Sequence, residues 1–192
     1  GDMVWSAAVP EELRSQATAV IGNFPVSQAA QYTRLEWLQT FSAGVDAYIC
    51  PGVLPRGTMV TNASGAYGQS VSEHMFATMW ALMKNLNRYA SNQRDHQWQD
   101  EGPVLSPEGG IALIIGVGDI GSHFAQLAQS VGMRTFGVRR HADVPAKGIE
   151  KMYGFERLET LLPLADVVAM AVPRSPQTHH LLNADRLRSE ER

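Results

Sequence analysis

Apolar residues in this chain come in short runs closed by turn formers. The runs change character after about residue 100. Near the start, Pro10-Glu11-Glu12-Leu13 opens a short helix with proline in its first turn. Residues 17–21 form an apolar run closed by Gly22-Asn23, the pattern of a buried strand. Residues 26–32 suit a short helix. Residues 35–41 alternate Leu35, Trp37, Gln39 and Phe41 against Glu36, Leu38 and Thr40, which predicts a strand. Ser42-Ala43-Gly44-Val45-Asp46 then turns the chain, and residues 58–61 give another short strand ending at Asn62.

Residues 69–98 contain neither proline nor glycine. Val71, Met75, Met79, Leu82, Leu86 and Tyr89 recur at spacings of three or four, so the spacing predicts one long helix joining two domains. Its Met79, Trp80 and Met83 suit either a dimer face or ordinary core packing. Turn formers dominate residues 101–110, which places a domain boundary there: residues 1–100 in one portion and 101–192 in the other. Beyond it the run Ile111-Ala112-Leu113-Ile114-Ile115 has the continuous apolarity of a fully covered strand. A helix follows over 120–131, on the face of Ile120, Phe124, Leu127, Ala128 and Val131, with Gly132 as its carboxyl cap. A strand over 134–138, a helix over 155–164, a strand over 166–172 and a helix capped by Asn183 and running to Arg188 complete the pattern. Strands alternating with helices predict a parallel α/β architecture.

One segment carries chemistry. Gly116-Val117-Gly118-Asp119-Ile120-Gly121 fits G-x-G-x-x-G between a strand and a helix. Gly116 permits the tight turn, Gly118 lets a pyrophosphate approach the backbone, and Gly121 lets the helix pack close to the strand. The N–H groups around Asp119 and Ile120, at the positive end of the helix dipole, then meet phosphate. An enzyme using NAD places a carboxylate about 20 residues beyond the motif for the ribose hydroxyls. Here Arg139 stands 18 positions after Gly121, followed by Arg140 and His141, and Asp143 comes too late. A guanidinium pair suits a 2′-phosphate, so NADPH is favoured over NAD; two solvated surface arginines are the plain alternative.

Composition narrows the class. The chain has 192 residues, 44% of them hydrophobic and 18% charged, which excludes general disorder. A net charge of −3 offers no nucleic-acid footprint. No apolar run reaches the roughly 18 residues of a membrane span. A single cysteine, Cys50, excludes an internal disulfide and a cysteine metal cluster, and favours a reducing, cytoplasmic setting. No histidine pattern supplies a metal site: His179-His180 lacks a third ligand at useful spacing. His74 and Glu73 are adjacent in a helix and do not face each other. None of these histidines is expected to be catalytic.

Four segments together resemble the D-isomer-specific 2-hydroxyacid dehydrogenase family. They are Ser42-Ala43-Gly44-Val45-Asp46; Thr61-Asn62-Ala63-Ser64-Gly65 leading to Ser72-Glu73-His74; the glycine turn; and Ala171-Val172-Pro173 with Pro176-Gln177-Thr178. The resemblance implies a doubly wound parallel sheet, the NAD(P)-binding Rossmann domain, plus a smaller flavodoxin-like α/β substrate domain, both incomplete here. It implies hydride transfer between NAD(P)H and a small 2-keto acid of the hydroxypyruvate, glyoxylate or phosphoglycerate class; a homodimer is suggested by the Met79, Trp80 and Met83 face rather than by the resemblance. It assigns the substrate carboxylate to the amides of Ala43 and Gly44, sets Val172 and Pro173 against the cofactor, and gives Thr178 a supporting part. The family's catalytic arginine, glutamate and histidine have no matching motif here, so the chain alone is expected to be inactive. The rival reading is a non-catalytic cofactor- or metabolite-binding module.

Overall fold

The computed structural model describes residues 8–188, which divide into two compact units, one ending at Ala66 and the other beginning at Tyr67.

In the first unit, β1 (Ala19–Ile21), β2 (Trp37–Gln39) and β3 (Met59–Thr61) form a parallel sheet in that order. Val20 pairs with Leu38 and Leu38 with Val60. Val20 and Leu38 are buried with Phe24, Ala29, Tyr32, Leu35 and Tyr48, so one face of the sheet carries the core. Helix α1 (Glu11–Arg14) and a 3-10 turn (Val26–Gln31) occupy the two amino-terminal helical stretches. Phe24 stacks on Tyr32 at 4.3 Å. The Tyr48 hydroxyl accepts from the Phe24 N–H at 3.0 Å and donates to the Phe24 carbonyl at 2.5 Å. That double bond pins the chain leaving β1 to the chain following the 42–46 turn.

The second unit holds a parallel sheet ordered β6-β5-β4-β7, with β4 (Ile111–Ile115), β5 (Arg134–Val138), β6 (Lys151–Tyr153) and β7 (Val167–Met170). The chain builds outward from β4 to β6, then returns to the other side of β4 as β7. Strand order therefore reverses between β4 and β7, the place where open α/β sheets bind ligands. Both faces are covered. Ala112 and Ile114 pack with Met79 and Met83 of α2 (Gly68–Met83) and with Phe124, Ala125 and Ala128 of α4 (Asp119–Ser130). Leu113 and Ile115 pack with Phe136, Val138, Leu158, Leu161 and Leu162 on the opposite side, where α5 (Leu158–Leu161) lies between two 3-10 turns. α6 (Ala184–Arg188) closes the described chain, and the Arg186 N–H donates to the expected cap, Asn183 Oδ1, at 3.0 Å.

Three features depart from the sequence pattern. The single helix over 69–98 is two, α2 and α3 (Leu86–Arg94), broken at Asn85, whose φ is +53°. Asparagine tolerates that left-handed conformation. Its side-chain amide donates to the Glu101 and Pro103 carbonyls at 3.3 and 3.4 Å, and the Leu105 N–H donates to the Met83 carbonyl at 2.9 Å, so a distant strap stabilises the break. Met79 and Met83 are core residues of this unit rather than a dimer face. For the same reason α2 belongs with the second compact unit, which begins at Tyr67.

The short edge strand β6 is the third departure. The segment before it is anchored by Arg134, which donates to both Glu150 oxygens at 3.1 and 2.8 Å. The arginine's hydrogen bond and charge hold the Glu150 carboxyl below its ordinary range. A carboxyl with a lowered folded pKa stabilises at neutral pH, and that contribution is lost as acid protonates it. The pair is exposed, so its share is small. Among the described residues no helix is long and apolar enough to cross a membrane.

Candidate functional site

The glycine turn follows β4 directly. The Gly116 N–H donates to the Val138 carbonyl at 2.8 Å, and its φ of +92° is a conformation glycine adopts without cost. A Cβ on Gly116 would strike the Ala171 carbonyl and Val172 Cγ1; one on Gly121 would strike the Gly116 carbonyl. These two glycines let β4, the turn, α4 and the end of β7 pack at backbone contact. Gly118 differs, since nothing lies within 4 Å of where its Cβ would stand. It is the N-cap of α4 and has no side chain to satisfy the helix end. The first bond across the helix start runs from the Ser122 N–H to the Gly118 carbonyl at 2.9 Å. Among the described residues the N–H groups of Gly118, Asp119 and Ile120 have no acceptor. Gly118 and Asp119 are exposed, and Ile120 is half-buried.

The Asp119 carboxylate lies against Gly68, the first residue of α2, where any Cβ would collide with it. Its Oδ1 is 3.4 Å from His123 Nδ1, which also lies 2.9 Å from the Asp119 carbonyl. Asp119 thus offers the turn its N–H while its carboxylate is occupied by α2 and His123. Neither partner is legible from the motif.

The two arginines after β5 part company. Arg139 is half-buried and donates to three backbone carbonyls: Val117 at 3.4 Å, His141 at 2.9 Å, and Val144. It ties the glycine turn to the loop that follows β5. Arg140 is exposed and has no partner among the described residues. Past β7, Val172 packs against the Leu158–Leu162 side of the core, and Pro173 is exposed. Thr178 Oγ1 donates to the Pro173 carbonyl at 2.6 Å and accepts from the Ser175 N–H at 2.9 Å. The supporting part of Thr178 is therefore to hold the loop after β7.

In the first unit, the turn after β2 is held by its oxygens. The Ser42 carbonyl accepts from Thr40 Oγ1 at 2.8 Å, and the Ala43 carbonyl from Asn62 Nδ2 at 2.7 Å. The Gly44 carbonyl accepts from Ser42 Oγ at 2.9 Å. Asn23 braces the other side, accepting from the Phe41 N–H at 2.8 Å and donating to Ser42 Oγ at 3.1 Å. With its carbonyls engaged, the turn leaves the exposed N–H groups of Ala43 and Gly44 without an acceptor among the described residues. Adjacent free amides form an anion-binding concavity. Asn23 and Asn62 were missed as functional residues in the sequence. Their signal there is an asparagine placed just after each strand, with Asn62 also standing in the 61–65 segment that carries the resemblance.

No cluster of metal-binding side chains exists among the described residues. A shallow groove between α2 and α4 is lined by Gln69, Ser72, Glu73, His123, Gln126 and Leu127, on helix surface rather than at the strand ends. His74, His123, His141, His179 and His180 are all exposed.

Residues 76–191 match the family model described as D-isomer specific 2-hydroxyacid dehydrogenase, NAD binding domain. The chain belongs to this family. A D-isomer specific 2-hydroxyacid dehydrogenase family protein from Aeromonas salmonicida superposes with a TM-score of 0.81 at 30% identity, over 92% of this chain and 56% of that one. A glycerate dehydrogenase of Methylorubrum extorquens is 25% identical over 96% of this chain and 59% of its own length. A glyoxylate reductase of Thermofilum pendens is 28% identical over 80% of this chain and 47% of its own. The chain spans about half the length of these curated relatives.

Gly121 and Gly118 should separate experimentally. Gly121→Val should destabilise the second unit by more than about 2 kcal/mol in urea unfolding, because its side chain meets backbone that cannot yield. Gly118→Ala should leave stability within about 1 kcal/mol, yet weaken dinucleotide binding by about tenfold in calorimetric titration. A Gly118→Ala protein that binds like the parent would mean that ligands do not approach there.

Proposed function

We propose that this chain is the cofactor- and substrate-binding part of an NAD(P)-dependent oxidoreductase that moves a hydride between NAD(P)H and a small 2-keto acid. The observation that carries the reading is the row of unpaired N–H groups at Gly118, Asp119 and Ile120, at the point where strand order reverses. Gly116 and Gly121 shape that row, and Val172 and Pro173 stand at the neighbouring strand end. The dinucleotide supplies the hydride; the residues of this chain bind and orient its pyrophosphate. The amides of Ala43 and Gly44 take the substrate carboxylate in the same manner.

The cofactor is NADPH in preference to NADH. No carboxylate stands directly after β5, and Arg140 is an exposed guanidinium with no other partner among the described residues, which supports its use on a 2′-phosphate. Arg139 serves differently: its donors are committed to the Val117, His141 and Val144 carbonyls, so it positions the loop. The exposed apolar residues Leu82, Leu86, Trp98 and Leu105 support a homodimer. The free, exposed Cys50 supports a reducing, cytoplasmic setting.

We place the proton donor outside these residues. Among the described histidines only His123 touches a carboxylate, and that carboxylate is packed on α2. This favours binding without turnover for the 192 residues by themselves. Purified chain mixed with NADPH and glyoxylate should show no consumption of NADPH above the buffer rate. General acid catalysis alone is worth about 10²–10⁴-fold, so robust turnover would contradict this placement.

Calorimetric titration of NADPH and NADH tests the cofactor assignment. A charge-assisted bond contributes about 1.5–3 kcal/mol, and about 1.4 kcal/mol is tenfold. Arg140→Gln should therefore weaken NADPH by about ten- to a hundredfold and leave NADH unchanged. Arg139→Gln should weaken both cofactors to a similar extent, because it loosens the turn they share. Equal affinity for both cofactors in the parent chain would contradict the preference.

A further inference from the structure

We propose that the turn at Ala43-Gly44 selects 2-keto acids with one negative charge and a small uncharged side chain, against those carrying a second carboxylate or a phosphate. The inference rests on the use of that turn for the substrate carboxylate, proposed above, and goes on to the charge of the rest of the molecule.

The first unit's sheet is parallel throughout, so the carboxyl ends of β1, β2 and β3 share one side. Residues 22–24, 40–46 and 62–64 gather there, and hydrogen bonds from Asn23 and Asn62 to the turn tie the three segments together. Asp46 is the one ionisable side chain among them, and it is exposed. The basic residues of the described first unit stand elsewhere. Arg34 and Arg56 precede β2 and β3, at the amino ends of the strands. A three-residue strand separates the two ends by roughly 10 Å, about one Debye length at physiological salt. Arg14 donates to the Val9 carbonyl at 3.1 Å and to Gln31 Oε1 at 2.6 Å.

Two amides can hold one carboxylate. Among the described residues of the first unit they leave no donor of positive charge for a second anion, and the exposed Asp46 carboxylate stands two residues past Gly44. An anion desolvated without a counter-charge is penalised, and a like charge beside it adds to the penalty. The remaining surroundings suit a small neutral group, since the Phe41 ring lies over Gly22, 3.4 Å from where a Cβ there would stand. Discrimination by an unfavourable charge is a common device of specific sites.

The test is amide chemical-shift titration of the isotope-labelled 192-residue chain with glyoxylate, pyruvate, oxaloacetate and phosphohydroxypyruvate. Glyoxylate and pyruvate should move the Ala43 and Gly44 signals with dissociation constants at least about tenfold below those of oxaloacetate and phosphohydroxypyruvate, which carry two or more negative charges. In Asp46→Lys that gap should shrink to about threefold or less. Oxaloacetate and phosphohydroxypyruvate binding as tightly as the monoanions in the parent chain would overturn the proposal while leaving the turn as a carboxylate site. A gap that persists unchanged in Asp46→Lys would overturn it as well. Ala43 and Gly44 signals unmoved by all four acids would overturn both this proposal and the use of the turn on which it rests.

Discussion

Two α-carbons that carry no side chain set the geometry of the second unit. At Gly116 the turn after β4 lies against the Ala171 carbonyl, and at Gly121 the first turn of α4 lies against the Gly116 carbonyl. Backbone packed on backbone leaves no slack for even a methyl group. That contact fixes where α4 begins, and so aims its unpaired N–H groups past the end of the sheet. The apolar layers on both faces of β4 hold the strand rigid beneath them, with Ile114 and Ile115 wholly buried on opposite sides. A phosphate site made of backbone needs such a frame, because its donors are positioned by the packing of the chain and by nothing else.

Both candidate binding turns use one device. Side chains and neighbouring segments engage the carbonyls, and the N–H groups are left over. After β2 this is done by Thr40, Ser42, Asn62 and Asn23. After β4 it is done by Arg139, which reaches the Val117 carbonyl. Charged side chains touch these turns mainly to hold them. Asp119 is spent on α2 and His123, and Arg139 on carbonyls; among the described residues the side chains of Arg140 and Asp46 have no partner, and the sign-specific recognition proposed above rests on them.

Local signals were legible in the sequence. The run Ile111-Ala112-Leu113-Ile114-Ile115, the glycine turn and the Gly132 cap each depend on residues within a few positions, and all three stand as the pattern predicts. Gly132 has the expected positive φ, +85°. What escaped depends on distant partners. The break at Asn85 has no glycine or proline to mark it and is stabilised by carbonyls beyond residue 100. Edge strand β6 is three residues beside charged neighbours, and its identity comes from pairing with β5. Arg139 and Arg140 look alike in sequence; only the positions of Val117 and Val144 separate them. The boundary between compact units follows from Met79 and Met83 packing on α4, which a stripe of methionines cannot by itself announce.

Amide chemical shifts recorded as NADPH is added to the labelled chain test the central claim most directly. The account predicts that the largest changes fall on Gly118, Asp119 and Ile120, with Val172 and Arg140 next and the α2–α4 groove residues Gln69 and Gln126 unmoved. Changes centred on the groove, or a glycine turn that does not respond at saturating cofactor, would contradict it.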